Sequence, residues 1–309
     1  MHTNIRWLFW TIILAAALPA WGQEKFDPAA VAARVAPFLD EQTWLLVRID
    51  TSRIDPHPAF ALLEKIVPAA KKELDAQEGM TNGMLASFRQ FGGRELDVVV
   101  GTAGLAEPAT LAIFPIAKDG GADSLAKLAE GFTHGLASQR RGGLLLVGNR
   151  EAMARLKSPQ PAARPDLVRA LEAAGDTAIQ VVLTPPAYAP RVVEEMMPTL
   201  PEVFGGGPST VLTHGVRWAA AGIDLSPRPS LRLVVQSADA ASATAFKAKW
   251  GDVARAIGRE EDTRRTVPRF DELSRLLTPE AQADRLILSL DADKAIPAIV
   301  DLLKPAKDK

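Results

Sequence analysis

Three histidines stand beyond residue 22: His57, His134 and His214. Imidazole is the side chain that ligates metals and moves protons near neutral pH, but only when its spacing builds a site. These three lie far apart, in no HExxH or HxH arrangement. His57 stands between Pro56 and Pro58 and is expected in a loop, and His134 on a helix. Arg48 and Asp50 alternate with apolar residues and share one face of their segment. They form either a polar pair able to orient a ligand or the solvated end of a strand, and the second is expected. Glu194 and Glu195 are adjacent acids, but neighbouring helix residues point about 100° apart, so they are expected in solvent rather than as an acid–base pair. Met80, Met84, Met196 and Met197 are expected to fill core.

Other chemistry lacks its residues. There is no G-x-S-x-G elbow, P-loop or G-x-G-x-x-G fingerprint. Gly205-Gly206-Gly207 follows an expected helix and precedes an expected strand, whereas a phosphate cradle needs a helix start. A helix stop and loop is the better reading. The run Arg259 to Arg265 (REEDTRR) mixes signs, which suits a solvated loop. With no cysteine in the chain, disulfides, thiolate catalysis, zinc–cysteine sites and covalent haem attachment are excluded. No catalytic, cofactor-binding or metal-binding residue is therefore assigned, and no cofactor.

Residues 1–22 have the three parts of a secretory leader. Met1 to Arg6 carries one positive charge, Trp7 to Leu18 is apolar, and Pro19 precedes Ala20-Trp21-Gly22, with small residues at the positions a signal peptidase reads. The apolar run is short for a membrane anchor, which takes roughly 20 residues. Cleavage before Gln23 is expected, with the product in the periplasm or outside the cell. Without Arg6, 35 basic residues face 37 acidic ones, which gives no electrostatic footprint for nucleic acid. No later stretch is apolar enough to span a membrane; the partners are unknown, a protein seated on a sheet face being one candidate. At 47% apolar residues, the chain is globular in composition.

Hydrophobic periodicity places the elements. Asp27-Pro28 starts a helix to Leu39, and TWLLVRID (43–50) is a strand. Helical spacing covers 58–73 and 82–91, and strands 96–102 and 111–116 follow. A helix over 123–136 precedes a strand over 144–148 and a short helix from 151. Ser158 to Pro165 (SPQPAARP) reads as a linker. A helix over 166–174 then leads to strands 178–184, 215–225, 231–236 and 286–291. Helices are expected over 190–204, 240–257, 270–277 and 294–303.

Both halves thus spell strand, helix, strand, strand, helix, strand, the β-α-β-β-α-β order of the ferredoxin-like split βαβ fold. LAIFPIAKDGGADSLAKLAEG from Leu111 aligns without gaps with LRLVVQSADAASATAFKAKWG from Leu231, matching Leu111/Leu231, Asp119/Asp239, Lys127/Lys247 and Gly131/Gly251. The expected fold class is α+β: two tandem ferredoxin-like lobes related by internal duplication, with extra helices. The organisation is a signal peptide (1–22), a first lobe (23–158), a Pro-rich linker (159–165) and a second lobe (166–309).

The leader, the strand ending Val47-Arg48-Ile49-Asp50 before Ile54-Asp55, and the doubled α+β pattern together resemble families of exported bacterial proteins with no assigned activity. The resemblance implies no site residue. The leading expectation is a non-enzymatic binding or scaffolding protein of the periplasm or cell envelope. A hydrolase built from scattered Asp, Glu, Ser and His is one alternative, and a carrier of an apolar ligand between the lobes is another. A last expectation concerns the sheet faces. First-half strands are apolar on both sides (Val98, Val99, Val100; Leu144, Leu145, Leu146), so both faces should be covered. Second-half strands carry Gln180, Thr184, Arg232, Gln236, Arg285, Ser289 and Asp291 on one face, which should be wetter.

Overall fold

The computed structural model describes residues 26–102, 108–116, 121–132, 135–157, 164–267, 269–291 and 295–303. Asp27 caps the first helix. Its Oδ1 accepts from the Ala29 N–H at 2.9 Å and the Ala30 N–H at 3.3 Å, while Pro28 fills a first-turn position that needs no donor. This helix, α1 (Pro28–Val35), passes through a 3-10 turn into β1 (Thr43–Asp50). The next region divides at Pro68, which cannot donate to a helix ladder. It gives α2 (His57–Ile66) and a long α3 (Lys71–Gln90) in place of the expected stretches 58–73 and 82–91. Then come β2 (Glu95–Gly101), β3 (Ala109–Pro115), α4 (Ala122–Phe132), β4 (Ala137–Arg141), β5 (Leu144–Gly148) and α5 (Arg150–Lys157).

The second half opens with α6 (Pro165–Ala174) and β6 (Ile179–Leu183). The helix expected over 190–204 stops at Met197-Pro198. It is replaced by α7 (Ala189–Met196), a 3-10 turn at Glu202–Phe204 and α8 (Thr210–Gly215). The remaining elements are β7 (Trp218–Asp224), β8 (Ser230–Gln236), α9 (Ala240–Arg259), α10 (Glu261–Thr266), α11 (Phe270–Leu276), β9 (Glu280–Gln282), β10 (Arg285–Leu290) and α12 (Ala295–Leu303). The charged run 259–265 is thus largely helical rather than loop. Segment 158–163 of the expected linker lies outside the described residues.

All ten strands among the described residues join one antiparallel sheet in the order β4-β5-β3-β2-β1-β6-β7-β8-β10-β9. The α+β class holds, but the strand order is not ferredoxin-like. In a split βαβ lobe the first strand lies parallel beside the third. Here β1 pairs antiparallel with β2 on one side, and β6 occupies the other, Leu45–Ile49 facing Leu183–Ile179. Read outward from this β1–β6 seam, the orders are β1-β2-β3-β5-β4 and β6-β7-β8-β10-β9, the same sequence of positions in each half.

Helices cover both faces. On the first face, α1, α5 and α6 bury Leu46, Val99, Leu111, Ile113, Leu146, Val182 and Trp218 in a core drawn from both halves. On the second face, α3 and α4 cover Val47, Ile49, Phe114, Leu145 and Val147, and α9 covers Val235 and Leu286. The first-half strands are therefore enclosed on both sides, with Val99 and Leu145 both buried. In the second half the first face opens outward from the seam. Arg232, Arg285, Ser289 and Asp291 are exposed. Gln180 and Thr184 depart from the expected wetness. Both are buried, because α6 lies over β6 and the Gly175 carbonyl accepts from Gln180 Nε2.

Candidate functional site

The strand register lines up one polar row across the first face. Asp97 pairs with Arg48, Arg48 with Gln180, Gln180 with Gly222, Gly222 with Arg232, and Arg232 with Ser289. Its middle lies under α1 and α6. Gly222 is there because α6 comes so close: a Cβ at this position would meet the Ala174 carbonyl oxygen at 2.0 Å.

At the row's buried end, α1 lays Arg34 onto the two carboxylates of β2. Arg34 Nε donates to Asp97 Oδ2 at 2.8 Å, and its Nη1 lies 2.8 Å from Glu95 Oε2. Arg48 Nη2 donates to Glu95 Oε1 at 2.7 Å, and the Arg48 guanidinium sits 5.1 Å from the centre of the Phe26 ring. Arg48 is therefore no solvated strand end. It is buried, and its place is fixed by β2 on one side and the chain entering α1 on the other. Asp50, half-buried, instead caps the turn after β1 by accepting from the Ser52 N–H at 3.0 Å.

The electrostatics follow from depth. Burial pushes the Asp97 carboxyl above its ordinary range, although Arg34 pulls the other way. Burial would raise Glu95 too, but the Arg48 and Arg34 guanidiniums outweigh it and hold Glu95 low. Two guanidiniums and two carboxylates make a neutral set. Asp97 is fully enclosed, at 0% exposure, and among the described residues no histidine or hydroxyl nucleophile joins the group. A general acid or base must reach a substrate proton. This cluster instead fastens α1 to β1 and β2.

A different kind of site lies on α7. Five large apolar side chains are exposed within residues 188–204: Tyr188, Val192, Met196, Val203 and Phe204, and Met196 is 82% exposed. Tyr188, Val192 and Met196 recur every four residues and make one stripe along the helix. No residue of α7 is fully buried. Beside the stripe, Arg191 Nε donates to Glu195 Oε1 at 2.7 Å. Glu194, half-buried, accepts from the Thr213 hydroxyl on α8. Glu195 is in solvent as expected and Glu194 is not. Met196 and Met80 depart from the expected core role. Both are exposed, Met196 because the helix ends there and leaves it on the outer edge.

The loop after α7 is rigidly specified. Gly205, Gly206 and Gly207 all adopt positive φ, the left-handed region that glycine occupies without strain. That turns the carbonyls of Gly205 and Gly206 onto Lys249 Nζ, at 3.1 and 2.7 Å. The run is a lysine-anchored turn and not a phosphate cradle.

His57 begins α2 rather than a loop, is exposed, and has Nδ1 2.9 Å from Glu78 Oε1, a partner that raises its pKa. His214 is exposed at the end of α8, and His134 lies outside the described residues. Among the described residues no group of three or more His, Asp or Glu is placed to hold a metal ion, and no helix is long and apolar enough to cross a membrane. The exposed stripe was hidden from sequence reading because methionine and valine at helical spacing look the same whether they face a core or a partner.

No family model matches the chain, and no curated protein matches it. The solved structure of TP0453 in its crystal form I aligns with 87% of this chain and 97% of its own, at 11% identity and a TM-score of 0.32. A likeness of that size carries no argument about fold or function.

Proposed function

We propose that the chain is an exported, non-enzymatic binding or scaffolding protein of the periplasm or cell envelope, and that α7 with its following loop is the surface through which it binds. The observation that carries this reading is the apolar stripe Tyr188, Val192 and Met196, followed by Val203 and Phe204, all open to solvent. Soluble monomers rarely leave such a concentration of large apolar side chains exposed, and aromatic residues and methionine are enriched where proteins bind. The charge-balanced Arg34–Arg48–Glu95–Asp97 cluster, with Arg48 and Asp97 buried and every carboxylate already engaged by a guanidinium, supports the same reading over a hydrolase. A carrier between lobes has less support, since the halves meet through paired strands at the β1–β6 seam.

The leader over residues 1–22 belongs to this proposal. So does an origin by internal duplication, which draws support from the common strand order and from the gapless match that sets β3 on β8 and α4 on α9. The test has two arms. Protein recovered from its native host should begin at or near Gln23. A photo-reactive side chain at position 196 should form a discrete adduct in the envelope fraction. Recovery with Met1 intact in the cytoplasm, or turnover of an ester, phosphoester or peptide abolished by Glu95→Gln, would sink the reading.

A further inference from the structure

We infer that the α7 stripe is a self-association surface, on which α7 of a second copy packs antiparallel about a two-fold axis beside Val192. This deepens the binding reading of the same surface and rests on it.

The argument is one of pattern and charge. On a helical wheel Tyr188, Val192 and Met196 fall within an arc of about 80°. Arg191 and Glu195 lie together on one flank of that arc, and the other flank carries Ala189 and Val193. A two-fold axis beside Val192 sets Tyr188 of each copy against Met196 of the other, an aromatic–thioether contact. The same axis keeps like flanks together. Arg191 of one copy then lies about 3 Å along the helix axis from Glu195 of the other, at about 1.5 Å of rise per residue. Each Arg191–Glu195 pair, which already closes within its own helix at 2.7 Å, becomes half of a four-charge ring. A parallel two-fold would instead set the Arg191–Glu195 flank of each copy against Ala189 and Val193 of the other, leaving the charges without partners across the interface. The surface is thus complementary to itself in one orientation, as an isologous interface requires. A lipid surface fits less well, since helices that lie on anionic bilayers are rich in Lys and Arg on the polar face. Here the charged residues of α7 are Arg191, Glu194 and Glu195, with Glu202 beyond.

Sedimentation velocity on the chain beginning at Gln23 tests this. A reversible monomer–dimer equilibrium is expected. Val192→Glu and Met196→Glu should each weaken it by about tenfold or more, roughly 1.4 kcal/mol. Arg191→Glu alone and Glu195→Arg alone should each weaken it, and the double charge swap should bring it back toward the parent value. All four positions are exposed, and unchanged circular dichroism and melting would confirm that folding is intact. A monomer at every concentration up to about 100 μM, weaker than the range typical of specific dimers, overturns the inference. So does a dimer indifferent to these variants, or a double swap no better than its singles. A monomer that co-sediments with phosphatidylcholine vesicles, or that crosslinks at position 196 only to a different protein, overturns self-association while the binding reading stands. Absence of any adduct at position 196 would remove both.

Discussion

At the scale of single residues, the four charges under α1 are unequal in what they hold. Asp97 has one charged partner, Arg34, and no exposure, whereas Glu95 is shared by Arg34 and Arg48. Arg34→Met leaves Asp97 buried and unpaired and is expected to cost about 3–5 kcal/mol in urea unfolding, the usual penalty for breaking a buried pair. Arg48→Met should cost clearly less, because Glu95 keeps Arg34. Acidity separates the two carboxyls. Asp97, with its folded pKa raised, opposes folding when ionised, and that opposition fades as pH falls through its folded pKa. Glu95, held low, adds stability at neutral pH that is lost only as pH falls through its depressed folded pKa. Asp97→Asn should therefore be tolerated at neutral pH within about 1 kcal/mol. Glu95→Gln should destabilise at neutral pH and flatten the acid limb of the stability profile. Equal pH profiles for the two variants would contradict this assignment. Ala283, which turns the β9–β10 hairpin with φ 51°, is a second residue-scale case. Glycine relieves about 1 kcal/mol or more of left-handed strain there but gives part of it back in unfolded-chain entropy, so Ala283→Gly should raise the melting temperature modestly.

At the scale of elements, the close approach of α6 to β7 makes Gly222 the most sensitive position on the first face. Gly222→Ala must move a backbone carbonyl rather than a side chain, and a loss of about 3 kcal/mol or more is expected from chemical denaturation. A loss under about 1 kcal/mol would mean that α6 rides loosely on the sheet. The elements also show what the sequence discloses and what it withholds. Strands such as 43–50 and 230–236 were legible because one set of alternate positions is wholly apolar, Leu45, Val47 and Ile49 in the first and Leu231, Leu233 and Val235 in the second, which is the period-two mark of a strand. Strands β4 and β9 were not. ASQRR and EAQ are exposed at every residue and stand at the two edges of the sheet, so their pairing leaves no apolar signature. Helix ends at Ile66 and Met196 were misplaced because the apolar spacing carries on past Pro68 and Pro198 while the backbone cannot. The cluster around Arg48 was invisible for a related reason. Alternation places Arg48 on a face, but only the N-terminal helix settling over that face makes it buried, and Arg34 and Asp97 lie 63 residues apart.

At the scale of the whole molecule, the matching strand orders invite a picture of two lobes, yet the interactions cross the seam. The largest apolar core takes Leu46, Val99 and Ile113 from one half and Leu171, Val182 and Trp218 from the other. Arg53 of the first half pairs with Asp176 and Asp224 of the second, and Arg164 Nη2 donates to the Thr184 hydroxyl at 2.6 Å while its Nη1 reaches the Asp40 carbonyl. The polar row adds a constraint on register. A slip of one residue between β1 and β6 would turn Gln180 toward the apolar second face, among Val47, Ile49 and Leu85, and take it from the Gly175 carbonyl. Neither half can satisfy these groups alone. Separated, residues 26–157 would present β1 as an unpaired edge with Val47 and Leu46 stripped of neighbours, a form prone to association. The chain should therefore unfold as a single cooperative unit despite its length. In urea, Trp44 on β1 and Trp250 on α9 report on opposite halves. In the chain beginning at Gln23, the double variants Trp218→Phe/Trp250→Phe and Trp44→Phe/Trp218→Phe leave Trp44 and Trp250 as sole reporters, and each should show fluorescence and far-ultraviolet circular dichroism changing together at one midpoint. Two separated transitions, one for each tryptophan, would mean that the seam is a contact between independent domains rather than the centre of one sheet.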